Sequence, residues 1–175
     1  MAELHVIGQL VSAEGFPSNS LCCKWGLHSG GGWQVLEGAR EGQSQTDASE
    51  VDQCAYFCHP IDVHFSTKSI QGWPKIHVQV YHMDNFGRHE IYGYGAVSLP
   101  TQPGEHELEC VTWRPSGSAR EEVGRRFIGG GLQLRNPELI YSNVDRYRLV
   151  TTAMGTVKLQ LGIIMRNFDK FGIEC

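Results

Sequence analysis

The feature that most constrains this chain is something its hydrophobic residues do not do. Almost nowhere do they recur at the three-to-four-residue interval of an amphipathic helix. Instead, short runs rich in β-branched and aromatic residues follow one another about every ten residues, separated by Gly, Pro, Ser and Asp clusters. That spacing predicts an all-β protein, an antiparallel β-sandwich of about eight strands, because short strands must each bury one face and the turns between them need backbone freedom. The clearest strand is residues 75–81, where Ile76, Val78 and Val80 alternate with His77, Gln79 and Tyr81. Residues 156–161 alternate in the same way before the more apolar Gly162, Ile163, Ile164 and Met165. Further strands are predicted at 4–11, 21–27, 33–36, 53–57, 62–65, 91–99 and 107–113.

The breaks are as informative as the runs. Pro60 cannot donate to a ladder, so it predicts an interruption between 53–57 and 62–65. Gly93 and Gly95 predict a bulge or a close backbone approach inside 91–99. Residues 38–52 are polar and turn-rich, the composition of a mobile loop. One stretch departs from the β pattern: Ser118 stands three residues before Glu121, a capping-box arrangement. It predicts one short helical insertion near residues 118–127, in a long loop reaching about residue 146. With no repeat and no linker, residues 1–175 read as a single domain.

At 175 residues and 41% hydrophobic content the chain can bury a core without staples and is not wholly disordered. A net charge of −4 argues against a general nucleic-acid binder, which needs a basic surface to release counterions. The charge is uneven: residues 1–110 balance at −8 and residues 111–175 at +4. Such a split reads as self-complementarity, a basic face for an acidic partner or anionic lipid, or plain solvated surface. The opening residues lack the basic and apolar regions of a signal peptide, and no run reaches the length of a membrane span. The expectation is an intracellular chain whose six cysteines (22, 23, 54, 58, 110 and 175) are reduced thiols.

Catalytic signatures are missing. There is no phosphate-binding loop and no nucleophile elbow, and neither His89-Glu90 nor His106-Glu107 is followed by the second histidine of a zinc protease. Gly30-Gly31-Gly32 reads as a turn. Cys54, Cys58 and His59 could begin a zinc site, but the only second pair, Cys22-Cys23, is adjacent and chelates poorly. Cys54 and Cys58 would share a strand face and read equally well as small buried hydrophobes. The eight histidines are scattered: His64 and His77 lie in alternating strands and read as satisfied or solvent-facing, and no two carboxylates are placed so that one is ionised and its neighbour protonated. No catalytic residue, metal or cofactor is expected, and an enzyme with a polar pocket around His77 or His82 is the weakest reading.

The segment Val80-Tyr81-His82-Met83-Asp84-Asn85 resembles the third loop of a C-two-type sandwich. Calcium there needs six to eight oxygens, mostly carboxylates. Glu14 and Asn19 stand in the first loop where aspartates are wanted, and His82 replaces one of the later pair, leaving Asp84 alone. The metal site reads as degraded.

A more specific resemblance runs over residues 4–115. His59-Pro60-Ile61-Asp62-Val63-His64-Phe65, Gly72-Trp73-Pro74-Lys75-Ile76, Asp84-Asn85-Phe86-Gly87-Arg88, Gly93-Tyr94-Gly95, Leu99-Pro100 and Pro103-Gly104 fall in the order of the B-nine domain family. The resemblance implies a C-two-like sandwich without enzymatic activity, found at the cytoskeletal basal body, transition zone and axoneme of cilia. It also implies assembly with other B-nine domain proteins, a small paralogue and a larger one of the Meckel syndrome group, and with tectonic-complex subunits. That complex limits movement of membrane proteins into and out of the cilium and supports ciliogenesis and hedgehog signalling. Beside it, the residues themselves offer Trp73-Pro74 and Tyr94 as turn-forming positions or aromatic binding anchors, and sheet edges or apolar faces as assembly surfaces. Arg114, Arg120, Arg125, Arg126 and Arg135 offer contacts for an acidic partner or anionic lipid, so a calcium-independent phospholipid-binding module is the alternative reading.

Overall fold

In a computed structural model, which describes residues 1–117, 133–142 and 149–172, the chain forms nine antiparallel strands. They are β1 (Ala2–Glu14), β2 (Leu21–His28), β3 (Trp33–Gly38), β4 (Glu41–Gln43), β5 (Cys54–Thr67), β6 (Lys75–Met83), β7 (His89–Ser98), β8 (Gly104–Pro115) and β9 (Thr151–Arg166). Among the described residues there is no α-helix, only 3-10 turns at Pro137–Ile140 and Phe168–Phe171. The helical insertion expected near 118–127 lies outside the described residues.

The strands are hydrogen-bonded in the order β3-β5-β1-β9-β8-β7-β6-β2-β4. This is one sheet curled over itself. The turn of the curl falls where β7 meets β8, through Tyr94 opposite Trp113. One layer is β3-β5-β1-β9-β8 and the other is β7-β6-β2-β4, and a shared core lies between them. Leu4, Val6 and Leu10 of β1, Phe57 and Val63 of β5, and Leu159 and Leu161 of β9 pack in one cluster with Cys23 and Trp25 of β2 and Ile76, Val78 and Val80 of β6. The alternation read in residues 75–81 is the observed inward face of β6.

Three expectations are corrected. Residues 38–52 contain β4, which pairs Glu41, Gly42 and Gln43 with Gly26, Trp25 and Lys24, and a bridge joins Asp47 to Leu21. The segment is polar because a short edge strand has little to bury, and it raises the strand count from about eight to nine. Pro60 does not interrupt β5. Strand β3 reaches β5 only from Val63 to Thr67, so over residues 54–62 the only described strand paired with β5 is β1, and Pro60 needs no second ladder partner. The irregularity lies earlier, between Tyr56 and His59, where Cys58 has φ 44°. This bulge also breaks the two-residue alternation, so Cys58 is exposed and does not share a buried face with Cys54.

One end of the core is sealed by aromatic rings. Trp33 packs edge-on against Trp73 at 5.2 Å and Phe65 at 6.1 Å, and Phe168 closes on both indoles. Each indole N–H is satisfied, Trp33 donating to the Gln71 carbonyl at 3.1 Å and Trp73 to the Leu99 carbonyl at 2.9 Å. The loops carrying these rings touch through backbone: Gly30 N–H donates to the Gly72 carbonyl at 2.8 Å. Gly72 has φ 73°, and a Cβ there would stand 2.5 Å from Gly30 Cα, so only glycine serves at that crossing. A comparable crowding occurs at Gly8, whose added Cβ would lie 2.1 Å from the Gln160 carbonyl oxygen of β9.

Gly8→Ala must push β1 from β9 in the middle of the larger layer, and a loss of about 1–3 kcal/mol is expected. Gly31, with open space around its Cβ position, gives the opposite sign: Gly31→Ala is expected to be neutral or to gain about 0.4–1 kcal/mol through the unfolded chain. Urea denaturation of the two variants checks the pair.

Candidate functional site

The end of the sandwich opposite the aromatic seal carries the β1–β2 and β6–β7 connections, where a calcium-binding sandwich would hold its ion. Asp84 leads the β6–β7 turn. Its Oδ1 accepts from the N–H groups of Phe86 at 2.9 Å and Arg88 at 2.8 Å, and its Oδ2 accepts from Arg88 Nε at 2.7 Å. The backbone N–H of Arg88 is the main cause holding this carboxyl below its ordinary value of 3.8, ahead of the Arg88 side chain and the Phe86 N–H. His82 pairs its Nδ1 with the Ser20 carbonyl at 3.0 Å and stacks on Tyr92 at 4.9 Å. Asn19 donates through Nδ2 to the carbonyls of Ser49 and Asp52. Glu14 takes Lys158 Nζ at 2.9 Å. The four positions thus serve four different local partners, and no three His, Cys, Asp or Glu side chains converge as a metal site among the described residues.

The aromatic motif positions turn inward. Trp73 belongs to the seal described above, and Pro74 is buried with its carbonyl accepting from Leu99 N–H at 3.1 Å. Tyr94 is 5% exposed, packs on Trp113 at 5.7 Å and accepts a hydrogen bond from Leu134 N–H at 3.1 Å. Gly93 and Gly95 show why the motif carries glycine on both sides of this ring. A Cβ at Gly93 would lie 2.7 Å from Thr112 Oγ1, and one at Gly95 would lie 2.7 Å from Cys110 Sγ. Of the two sequence readings, close approach applies at both glycines, and a register shift between Val80 and Tyr81 adds a bulge beside Gly93. These residues build the sandwich rather than project from it.

Asp62 is on the outer face, bonded to His5 Nε2 at 2.8 Å. Pro60 is exposed beside it, and Pro103-Gly104 turns the chain into β8, with Gly104 at φ 121°. Among the arginines, Arg135 is exposed and Arg114 half-buried on β8; Arg120, Arg125 and Arg126 lie outside the described residues. His77 packs against Gly26 and sits 5.3 Å from Tyr141; burial first, and His28 second, holds it below the ordinary histidine value. The thiols of Cys23 and Cys110 are buried in the core, where desolvation pushes Cys110 up to about 12 and Cys23 higher still, so neither is a nucleophile.

Sequence reasoning did not locate one surface. On the outer face of β5, β1, β9 and β8, Ile7 and Ile164 stand exposed around Gly162. A signal was present: Val6-Ile7 and Ile163-Ile164 each place two apolar residues in succession, which breaks the alternation of a half-buried strand.

The family model B9-C2, described as the ciliary basal body-associated B9 protein family, matches residues 4–164. The chain belongs to the ciliary basal body-associated B9 family. It is 58% identical over 174 residues to B9 domain-containing protein 2 of Danio rerio, covering 99% of each chain, and 54% identical to the Homo sapiens protein of that name over the whole of both. B9 domain-containing protein 1 of Xenopus laevis is 30% identical over 97% of this chain and 87% of that protein. Among solved structures, the C2A domain of plant Extended Synaptotagmin 1 overlaps 92% of both chains with a TM-score of 0.45 and 13% identity. At the loop end of this B9 chain, Asp84, His82 and Asn19 bond to the loops around them, and Glu14 joins β1 to β9 through Lys158.

Two outcomes follow. In a carbon-detected NMR titration Asp84 is expected to titrate below 3.8, and to remain depressed in Arg88→Ala, because the backbone N–H groups survive that change. Its stabilising effect is present above the ordinary carboxylate value and is lost as pH falls through the depressed one. Trp73→Ala is expected to lower stability by about 2–3 kcal/mol, less than the cost of a fully buried aromatic because this ring is only partly buried, with a fall in melting temperature on calorimetry.

Proposed function

We propose that this B9 chain is a non-enzymatic assembly subunit of the ciliary transition zone. In this reading it joins related B9 proteins, a paralogue like B9 domain-containing protein 1 and a larger B9 protein of the Meckel syndrome group, within a tectonic-type complex. That complex restricts passage of membrane proteins between cilium and plasma membrane, and so supports ciliogenesis and hedgehog signalling. The observation that carries the reading is the match of the whole chain, at 54–58% identity, to proteins named B9 domain-containing protein 2. The geometry supports it in physical terms. Asp84, His82 and Asn19 at the loop end are engaged in holding loops, Glu14 is engaged with Lys158, the motif aromatics pack on the core, and what the described residues leave open are sheet edges and one apolar outer face. Surfaces of that kind suit association with another folded chain.

Co-expression with a B9 domain-containing protein 1 relative, followed by size-exclusion chromatography, tests this reading. A stoichiometric co-eluting complex is expected. A chain that elutes alone and monomeric overturns it, and flotation of that lone chain with anionic vesicles, weakened by salt, would select the phospholipid-binding alternative instead.

A further inference from the structure

The curled sheet has two outer faces, and the described residues cover only one of them. Over β6 and β7, Ile140 of the 3-10 turn packs with Ile91, Tyr94 and Trp113 into a second small core, with Leu134 and Tyr141 against it. The opposite face, formed by β5, β1, β9 and β8, has no such cover among the described residues, although its centre is apolar: Ile7 is 43% and Ile164 55% exposed. Strand register explains its shape. Asp62, Ile7, Gly162 and Glu105 stand in one row across the four strands. Gly162 supplies no side chain, so the row has a gap there, and Gly104 next to Glu105 supplies none either. Gln9 and Gln160, hydrogen-bonded at 3.2 Å, bound the gap on one side, and Ile164 bounds it on the other. The result is an open hollow of about 620 Å³ whose floor and walls include Ile7, Pro60, Gly162 and Ile164.

The charge around this hollow is mostly acidic, and Arg166, beyond Ile164 on the same face, is paired with Glu3 at 3.7 Å. Glu105, Glu107 and Glu109 are exposed at alternate positions along β8. Glu109 stands opposite Lys158, which is itself engaged by Glu14. Glu105 and Glu107 stand opposite Gly162 and Gln160, and neither forms an ion pair with any described residue. Two like charges at i and i+2 on one strand face repel each other and invite a cation. Asp62, bonded to His5, adds a carboxylate at the other end of the row. An anionic membrane is disfavoured by the same charges.

We propose that this hollow docks an extended segment of a partner protein that presents an aliphatic side chain beside a basic one. The aliphatic group fills the space over Gly162 against Ile7 and Ile164, and the Lys or Arg meets Glu105 and Glu107. The proposal rests on the assembly role above and names the surface and the chemistry of its partner. Apolar fit supplies most of the affinity, and the carboxylates supply orientation and encounter rate.

Two arms test it. In the first, the chain is co-expressed with a B9 domain-containing protein 1 relative as wild type, as Gly162→Leu, as Glu105→Lys/Glu107→Lys, and as the control Glu50→Lys/Glu138→Lys, two exposed residues away from the hollow and from both edge strands. Leucine at 162 has room, since a Cβ there meets only the Ile7 carbonyl oxygen, at 3.4 Å. Melting curves establish that each variant is folded. The hollow-filling and charge-reversed variants are expected to retain about tenfold less partner, and the control an unchanged amount. The second arm needs no partner. Methyl NMR of the wild-type chain, titrated with the peptide acetyl-Leu-Arg-Leu-Arg-Leu-amide, is expected to shift the Ile7 and Ile164 signals. The shifts should vanish in Gly162→Leu, with a Glu-for-Arg peptide, and in high salt. Wild type and all variants retaining partner equally overturns the docking face and leaves the assembly reading standing. Peptide shifts at Ile7 and Ile164 without co-purification support the site and overturn the assembly reading. Neither signal overturns both, and loss of anionic-vesicle binding on Gly162→Leu would reassign the face to lipid and overturn the proposal.

Discussion

A single antiparallel sheet can enclose a core only if it curls over itself and something closes the ends of the curl. Here one end is closed by four rings, Trp33, Phe65, Trp73 and Phe168. They draw together β3, β5, the segment before β6 and the turn after β9, elements far apart in sequence. Aromatic groups suit the task because each buries a large area and the indoles keep a polar edge that can be satisfied by a carbonyl. Both indoles do so, and the backbone crossing at Gly30 and Gly72 sets how closely their loops approach. The Gly-Trp-Pro motif is therefore one mechanical unit: close approach, plug, and entry into β6.

The other end is held by a different chemistry. Asp84, His82, Asn19 and Glu14 each satisfy a nearby backbone or side-chain group. The Asp84 carboxylate already accepts two backbone N–H groups at Oδ1 and the Arg88 Nε at Oδ2, which fixes its orientation within its own turn. The loop end is thus held together by direct hydrogen bonds within the chain. For a B9 protein proposed to act as an assembly subunit, this gives loops whose shape is set by the chain itself.

The two outer faces of the sandwich differ. One outer face is packed by residues 134–141 of the chain, while the other keeps an apolar centre beside carboxylates that find no cation among the described residues. That asymmetry gives the domain a distinct front and back, which an assembly built from similar sandwiches needs if its members are to associate in one orientation.

Much of this was legible in the residues. The spacing of runs and turns determined an all-β chain, the alternation of 75–81 determined the inward face of β6, and the glycines around Tyr94 pointed to a bulge or a close approach, because period-two burial and the absence of a Cβ are local properties. The motif positions likewise located the family. Other features were decided only when distant strands met. Edge strand β4 has almost no hydrophobic signal, and Pro60 is tolerated because β3 stops short of it, a fact about a neighbour. Trp73 looks the same in sequence whether it plugs a core or waits for a partner. The hollow at Gly162 exists because Ile7 and Glu105, 98 positions apart, stand on either side of it. Which side chains share a surface depends on strand register, and register is set by the packing of the whole sheet rather than by any one segment.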